Sequence, residues 1–188
     1  IHIDSVIKLL LRSKSDAAIT IKKVSYPSHW LLRIAKKNKI ELIEDSAETL
    51  GATWKNKQTG SFGIGCFSFF PTKNITTTEG GMLTTNSLKK YIEVKKLIAH
   101  GISKTKNRHF WHRESELAGH NFRMPNHLAA LGISQLSNLL IFNKKRLKIA
   151  KTYDNFFIKL SDIFTVQKVN KNLTHSYQMY SVIVKPKF

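Results

Sequence analysis

The stretch CFSFFPTKNITTTEGG, Cys66 to Gly81, holds one basic residue, Lys73, in a chain that scatters lysine almost everywhere else. Its first five residues, Cys66–Phe70, read as an apolar strand. Gly80 and Gly81 read as a turn, and Met82–Thr85 as a second short strand. Upstream, IELIED (Ile40–Asp45) alternates apolar and polar residues and then turns polar. Before it, His29–Lys39 has the spacing of an amphipathic helix, and Ala17–Ile21 reads as a short buried strand. Residues 3–11 (IDSVIKLLL) have helical spacing, with Asp4 or Ser5 as N-cap, and Pro27 and Ser28 punctuate the chain. Helix, strand, helix, strand is the rhythm of a parallel α/β sheet.

Residues 51–65 form a Gly-rich connection with a hairpin around Lys55, Asn56 and Lys57. Asn86 or Ser87 caps a helix over residues 88–99, and Gly101 stops it. Residues 102–120, rich in His and Arg, read as a long loop. Pro125 and Asn126 open a helix that runs to Phe142. A second helix follows over Lys144–Leu160, and strands resume at Phe164–Val169 and Tyr180–Val184. This return of β-type segments places a boundary near residue 145, with one unit over 1–145 and another beginning at 146–188.

The chain has 188 residues, enough for one substantial core or one and a fraction. Thirty-one Lys and Arg face twelve Asp and Glu, a net charge of +19, which favours anionic partners. The basic residues are dispersed along helix-like positions, as in Lys89-Lys90 and Lys95-Lys96. No recognised nucleic-acid motif accompanies them, so a basic nucleic-acid module is the weaker reading. Four of the twelve carboxylates, Glu41, Glu44, Asp45 and Glu48, fall within eight residues, a clustering that needs a reason. The one cysteine, Cys66, excludes an internal disulfide and a multi-cysteine zinc site. No apolar run approaches the ~18 residues of a membrane span, and a reducing cytoplasm fits. The chain begins without Met and ends in a strand-like run, which suggests a piece of a longer protein.

In an open parallel sheet, ligands gather at the carboxyl ends of the strands. Asp45 ends one strand, and Ser68 and Lys73 sit at or just past the end of another. An acid, a hydroxyl and a lone amine could therefore converge on one crevice. That trio suits pyridoxal phosphate (PLP), an aldehyde that needs a Lys amine and a carboxylate beside its ring nitrogen. Its phosphate needs hydroxyl and amide donors.

The ordered set IEDSAETLGATWKNKQTGSFGIGCFSFFPTKNITTTEGGMLTTN, HG (100–101), AGHNFRM (118–124), LAALGISQL (128–136) and HSYQMYSVIV (175–184) resembles the DegT/DnrJ/EryC1/StrS family of sugar aminotransferases. The resemblance implies an α/β, fold-type-I PLP-dependent transferase: part of the large domain, with a mainly parallel sheet, and the start of the small C-terminal domain. It implies Lys73 at the Schiff-base position and Asp45 at the pyridinium nitrogen. Ser68 matches a phosphate ligand, and Glu48 stands near the ring where the family has Gln or His. Asn121 matches an Asn that reaches the phosphate across a homodimer interface. The implied reaction moves an amino group, with glutamate as the expected donor, to a keto group of a nucleotide-linked sugar.

Each assignment has a structural alternative. Asp45 could cap a turn, Ser68 could be a strand hydroxyl, Glu48 a surface acid and Asn121 a turn residue. Arg123 reads as structural or interfacial. His100, His109, His112, His120 and His127 show no metal-binding spacing.

Four departures from the family pattern stand out. GSFG runs into IGC without the customary Asp, and Thr78 replaces a glycine that a left-handed turn would favour. IKKVSYPSHW lacks the usual His, Gly and Asp. Glu48 adds charge beside Asp45. A full-length member carries a phosphate-binding Gly-Thr/Ser segment before Ile1 and most of the small domain after Phe188. The alternative to an active enzyme is a truncated, non-catalytic remnant of the family.

Overall fold

A computed structural model of the chain describes residues 17–20, 29–102 and 114–186. The helix expected over 3–11, the Pro27–Ser28 punctuation, His109 and His112 lie outside the described residues. The elements in order are β1 (Ala17–Thr20), α1 (His29–Lys37), β2 (Glu41–Asp45), β3 (Thr53–Trp54), β4 (Lys57–Gln58), β5 (Ile64–Ser68) and β6 (Gly81–Thr84). They continue with α2 (Leu88–Leu97), α3 (Asn126–Ser137), α4 (Leu139–Phe157), β7 (Phe164–Val166), β8 (Leu173–Thr174) and β9 (Val182–Val184).

The main sheet has the order β1-β2-β5-β6. β1, β2 and β5 run parallel, and β6 returns antiparallel to β5. Alternation along β2 buries Leu42 and Glu44 on one side and leaves Glu41, Ile43 and Asp45 on the other. Asp45 is the register partner of Cys66 in β5. Cys66 and Ser68 therefore share a sheet face with Asp45, because side chains two apart on a strand point the same way. Phe67 and Phe69 point to the opposite face. There Phe69 joins Ile75 and Leu139 in a buried cluster that Leu50, Phe67, Met124 and Phe142 surround.

The expected hairpin is present. β3 pairs with β4 through the two residues Lys55 and Asn56, at φ 47° and 63°. Two consecutive left-handed residues are what a type I′ turn demands. β8 adds to the other edge of β3, so the chain beyond residue 146 returns to the first sheet unit.

Ser87 caps α2 by accepting a hydrogen bond from the Lys90 amide at 3.3 Å. Beyond the helix, Gly101 at φ 71° donates its amide to Lys96 O at 2.8 Å. The helix break expected after Phe142 lies instead at Asn138. The Asn138 amide nitrogen donates to Gln135 O, and its side-chain Nδ2 to Ser134 O at 3.0 Å. Asn143, expected between the helices, lies inside α4. Relative to the sequence reading, β5 is shifted by two residues and β6 by one, and β7 ends three residues earlier.

Candidate active site

The acid cluster resolves into four different structural jobs. Glu41 pairs with Lys90 of α2 at 3.0 Å. Glu44 is 4% exposed and accepts three backbone amides: Gly60 at 2.9 Å, Phe62 at 2.7 Å and Gly63 at 2.8 Å. A carboxylate offers acceptor sites only, so one side chain can satisfy a whole loop of inward-facing N–H groups. Gly63 cannot carry a side chain, because a Cβ there would lie 2.2 Å from Leu42 O. Thus the Gly-rich connection is shaped around Glu44, a role the sequence reading did not assign.

Asp45 ends β2, half-buried, and its Oδ1 accepts the Ala47 amide at 3.3 Å. The turn-capping alternative is therefore part of its environment. Ser68 ends β5 on the same face, with its Oγ accepting from the Phe70 amide at 3.4 Å. Burial pushes the Cys66 thiol up, and the negative charges of Asp45 and Glu44 push it further. This marks the Asp45 face as a place where negative charge is felt.

Lys73 follows a turn in which its amide donates to Phe70 O at 2.9 Å. Its Nζ reaches Glu48 Oε1 at 3.5 Å, with side chains only 15% and 18% exposed. Glu48 is thus a half-buried partner of Lys73 and no simple surface acid. The loop after β2 and the loop after β5 meet at this pair.

Four polar side chains tie those two loops together. Asn74, 5% exposed, donates to Ser176 O at 2.9 Å and to Asn143 Oδ1 at 2.6 Å. Asn143 in turn donates to Leu50 O at 3.1 Å. Ser176 Oγ donates to Glu48 O at 3.2 Å, and Gln178 Nε2 to Thr72 O at 3.1 Å. Arg146 of α4 holds this HSYQ segment through the Tyr177 and Gln178 carbonyls at 3.3 and 3.2 Å. Among the described residues, two buried polar atoms of this segment, His175 Nε2 and Gln178 Oε1, have no hydrogen-bond partner.

Asn121 is exposed, in an isolated bridge with Ala99, and its Oδ1 accepts from Arg123 Nε at 3.2 Å. No hydrogen bond or ion pair among the described residues joins it to Lys73 or Asp45. Thr78, in the turn after Lys73, has φ 66°, so the left-handed conformation expected there is real and a β-branched residue occupies it. Its amide donates to Thr76 Oγ1 at 2.8 Å, which helps to fix the turn. Among the described residues no cluster of His, Cys, Asp and Glu could hold a metal ion, and no helix is long and apolar enough to cross a membrane.

Comparison with known proteins places these features in context. The profile of the DegT/DnrJ/EryC1/StrS aminotransferase family matches residues 24–188. The chain is 32% identical to GDP-perosamine synthase of Escherichia coli O157:H7 over 184 residues, 96% of this chain and 48% of that protein. It is 35% identical to the UDP-4-amino-4,6-dideoxy-N-acetyl-beta-L-altrosamine transaminase of Campylobacter jejuni strain 81-176, over 82% of this chain and 40% of that one. In structure it resembles Helicobacter pylori PseC, an aminotransferase involved in the biosynthesis of pseudoaminic acid. The TM-score is 0.82 at 31% identity, covering 92% of this chain and 46% of the other. The chain therefore spans about half the length of the relatives it matches. Its architecture is that of the fold-type-I PLP-dependent sugar aminotransferases, as the sequence reading expected.

Proposed function

The chain belongs to the DegT/DnrJ/EryC1/StrS aminotransferase family, and on that premise we propose that it is part of a PLP-dependent enzyme that aminates a nucleotide-linked keto-sugar. The carrying observation is the meeting of the β2 and β5 loops at Lys73, with Asp45 and Ser68 on one sheet face at the ends of adjacent parallel strands. Relatives that bear names of GDP-sugar and UDP-sugar enzymes support the substrate class.

The donor set fits the cofactor. Lys73 would hold its carbonyl carbon, Asp45 its ring nitrogen and Ser68 its phosphate, with Glu48 near the ring. When bound, PLP supplies an electron sink that stabilises negative charge on the adjacent carbon. The Asp45 carboxylate would favour a protonated ring nitrogen by charge pairing. Lys73 Nζ would also serve as general base and acid for the proton that moves at the reacting centre. Glutamate serves as the amino donor. On this reading Asn121, exposed beside the 71% exposed Phe122, would face the second protomer of a homodimer. The boundary between the large and small domains is assigned near residue 145, within α4.

A second reading, a non-catalytic remnant, draws support from Thr78, which occupies a left-handed position at a cost. One experiment separates the two. Addition of PLP to the full-length protein should give an absorbance band near the visible edge that Lys73→Ala abolishes and Lys55→Ala keeps. Glutamate-dependent amination of a nucleotide-linked keto-sugar should follow the same pattern. Absence of both band and amination in the parent protein would leave the remnant.

A further inference from the structure

Lys73 lies between β5 and β6, outside every helix and strand, so no ladder of backbone bonds holds it. Other bonds do. The Lys73 amide donates to Phe70 O at 2.9 Å, and Thr72 O accepts from Gln178 Nε2 at 3.1 Å. On the far side, the Asn74 side chain donates to Ser176 O at 2.9 Å and to Asn143 Oδ1 at 2.6 Å. None of these bonds touches the Lys73 side chain. They hold the backbone on both sides of it, and so the point from which that side chain leaves.

Asn74 is 5% exposed, and a single amide nitrogen supplies both N–H groups. The Asn143 amide is oriented for this contact, because its own Nδ2 is committed to Leu50 O at 3.1 Å. Both partners of Asn74 also grip the loop after β2: Asn143 through Leu50 O, and Ser176 Oγ through Glu48 O at 3.2 Å. That loop begins at Asp45. Asn74 therefore links the lysine turn, through two bridging residues, to the backbone that follows the acid. A serine at this position could donate once and an aspartate not at all. Either would leave at least one acceptor oxygen without its donor.

We propose that Asn74 is a positioning residue for Lys73: its amide clasps the lysine turn to α4 and the HSYQ segment and so sets where the Lys73 side chain starts relative to Asp45. The bond it serves is the carbon–nitrogen bond between Lys73 and the cofactor aldehyde. The amine nitrogen joins the aldehyde carbon, and the carbonyl oxygen leaves as water with two protons from nitrogen, so nothing is oxidised or reduced. Such a bond is favoured where the amine starts within reach of a carbonyl that the rest of the site holds. Asn74 touches no reacting atom and acts through the backbone.

This inference rests on the reading of Lys73 as the cofactor-binding lysine. The test titrates the full-length protein with pyridoxal phosphate and, separately, with pyridoxine phosphate, whose alcohol cannot bond to the lysine. Protein fluorescence reads both titrations. Asn74→Ala should weaken pyridoxal phosphate about tenfold and pyridoxine phosphate less than about twofold. Asn143→Ala leaves Asn74 its bond to Ser176, so a selective loss of about threefold is expected, and this variant carries the test if Asn74→Ala does not fold. Tyr180→Phe loses the hydroxyl bond to Asp154 at 2.7 Å, a structural loss away from the lysine turn, and should show no selectivity. A loss that is equal or larger for pyridoxine phosphate, or absent for both ligands, overturns the positioning role. The cofactor reading still stands in that case if borohydride traps pyridoxal phosphate on Lys73 of the parent. No trapped adduct at Lys73 of the parent overturns both.

Discussion

Asn74 Nδ2 lies 2.6 Å from Asn143 Oδ1, across 69 residues of chain. The contact joins the turn that carries Lys73 to the second turn of α4. Asn143→Ala removes the acceptor for Asn74 and the donor to Leu50 O. Buried groups left without partners cost more than the net worth of a hydrogen bond, so a loss of about 2–3 kcal/mol is expected in urea titration. The Asn74→Ala/Asn143→Ala double variant should lose less than the sum of the singles, with a coupling of at least about 0.5 kcal/mol. Strict additivity would show that the two side chains do not act on each other.

Glu44 predicts a local effect. Glu44→Gln replaces one acceptor oxygen with a donor that faces the Gly60, Phe62 and Gly63 amides. A cost of about 3 kcal/mol follows from hydrogen bonds to a charged group. In hydrogen exchange those three amides should lose protection first, while the β5–β6 ladder remains slow. Uniform loosening of the whole sheet would contradict the loop-shaping role.

Thr78 predicts a gain. A β-branched residue at φ 66° pays a steric penalty that glycine avoids. Thr78→Gly should raise stability by about 1 kcal/mol despite the greater freedom of the unfolded glycine. A lower denaturation midpoint for Thr78→Gly would mean that the Thr78 hydroxyl, which donates to Thr77 O, outweighs the strain.

His175 predicts a pH dependence. Burial lowers its pKa, and its Nδ1 accepts the Tyr177 amide at 2.7 Å, so the folded state keeps the ring neutral. The unfolded ring titrates near the ordinary value of about 6.5. Below that pH the unfolded state binds the extra proton and the folded state does not, so stability falls as pH drops from about 6.5 toward the lower folded-state value. The stability lost between pH 7.5 and 5.5 should be smaller by about 1 kcal/mol in His175→Gln than in the parent. Equal losses in both proteins would remove His175 from the account.

Ser68 predicts a binding effect, on the proposed cofactor reading. Ser68→Ala deletes a hydroxyl at the end of β5 and should weaken pyridoxal phosphate binding about tenfold, read from the titrated absorbance band. Affinity for pyridoxal, which lacks the phosphate, should change little. An equal loss for both compounds would place Ser68 away from the phosphate.

Local features were legible from the residues themselves. Lys55 and Asn56 marked their turn, Ser87 its helix cap, and the alternation of Ile40–Asp45 its strand, because each depends on neighbours a few positions away. The common face of Asp45 and Ser68 follows from a two-residue period once the strands pair in parallel. The break at Asn138 was missed because Asn138 and Asn143 offer the same local chemistry, and tertiary bonds to Leu50 and Asn74 keep Asn143 inside the helix. Glu44 could have been suspected, since a buried position in a strand alternation held a carboxylate opposite a Gly-rich loop. The joint hold of Ser176 on Glu48 and Asn74 spans more than a hundred residues, and nothing in local sequence announces such a bond.

That long reach bears on how the crevice forms during synthesis. The lysine turn and the glutamate loop are both translated roughly a hundred residues before Ser176. At about 5–20 residues per second they wait on the order of 5–20 s for the segment that clasps them. A nascent chain stalled short of Ser176 carries every acid, hydroxyl and amine of the proposed crevice but lacks its fastening.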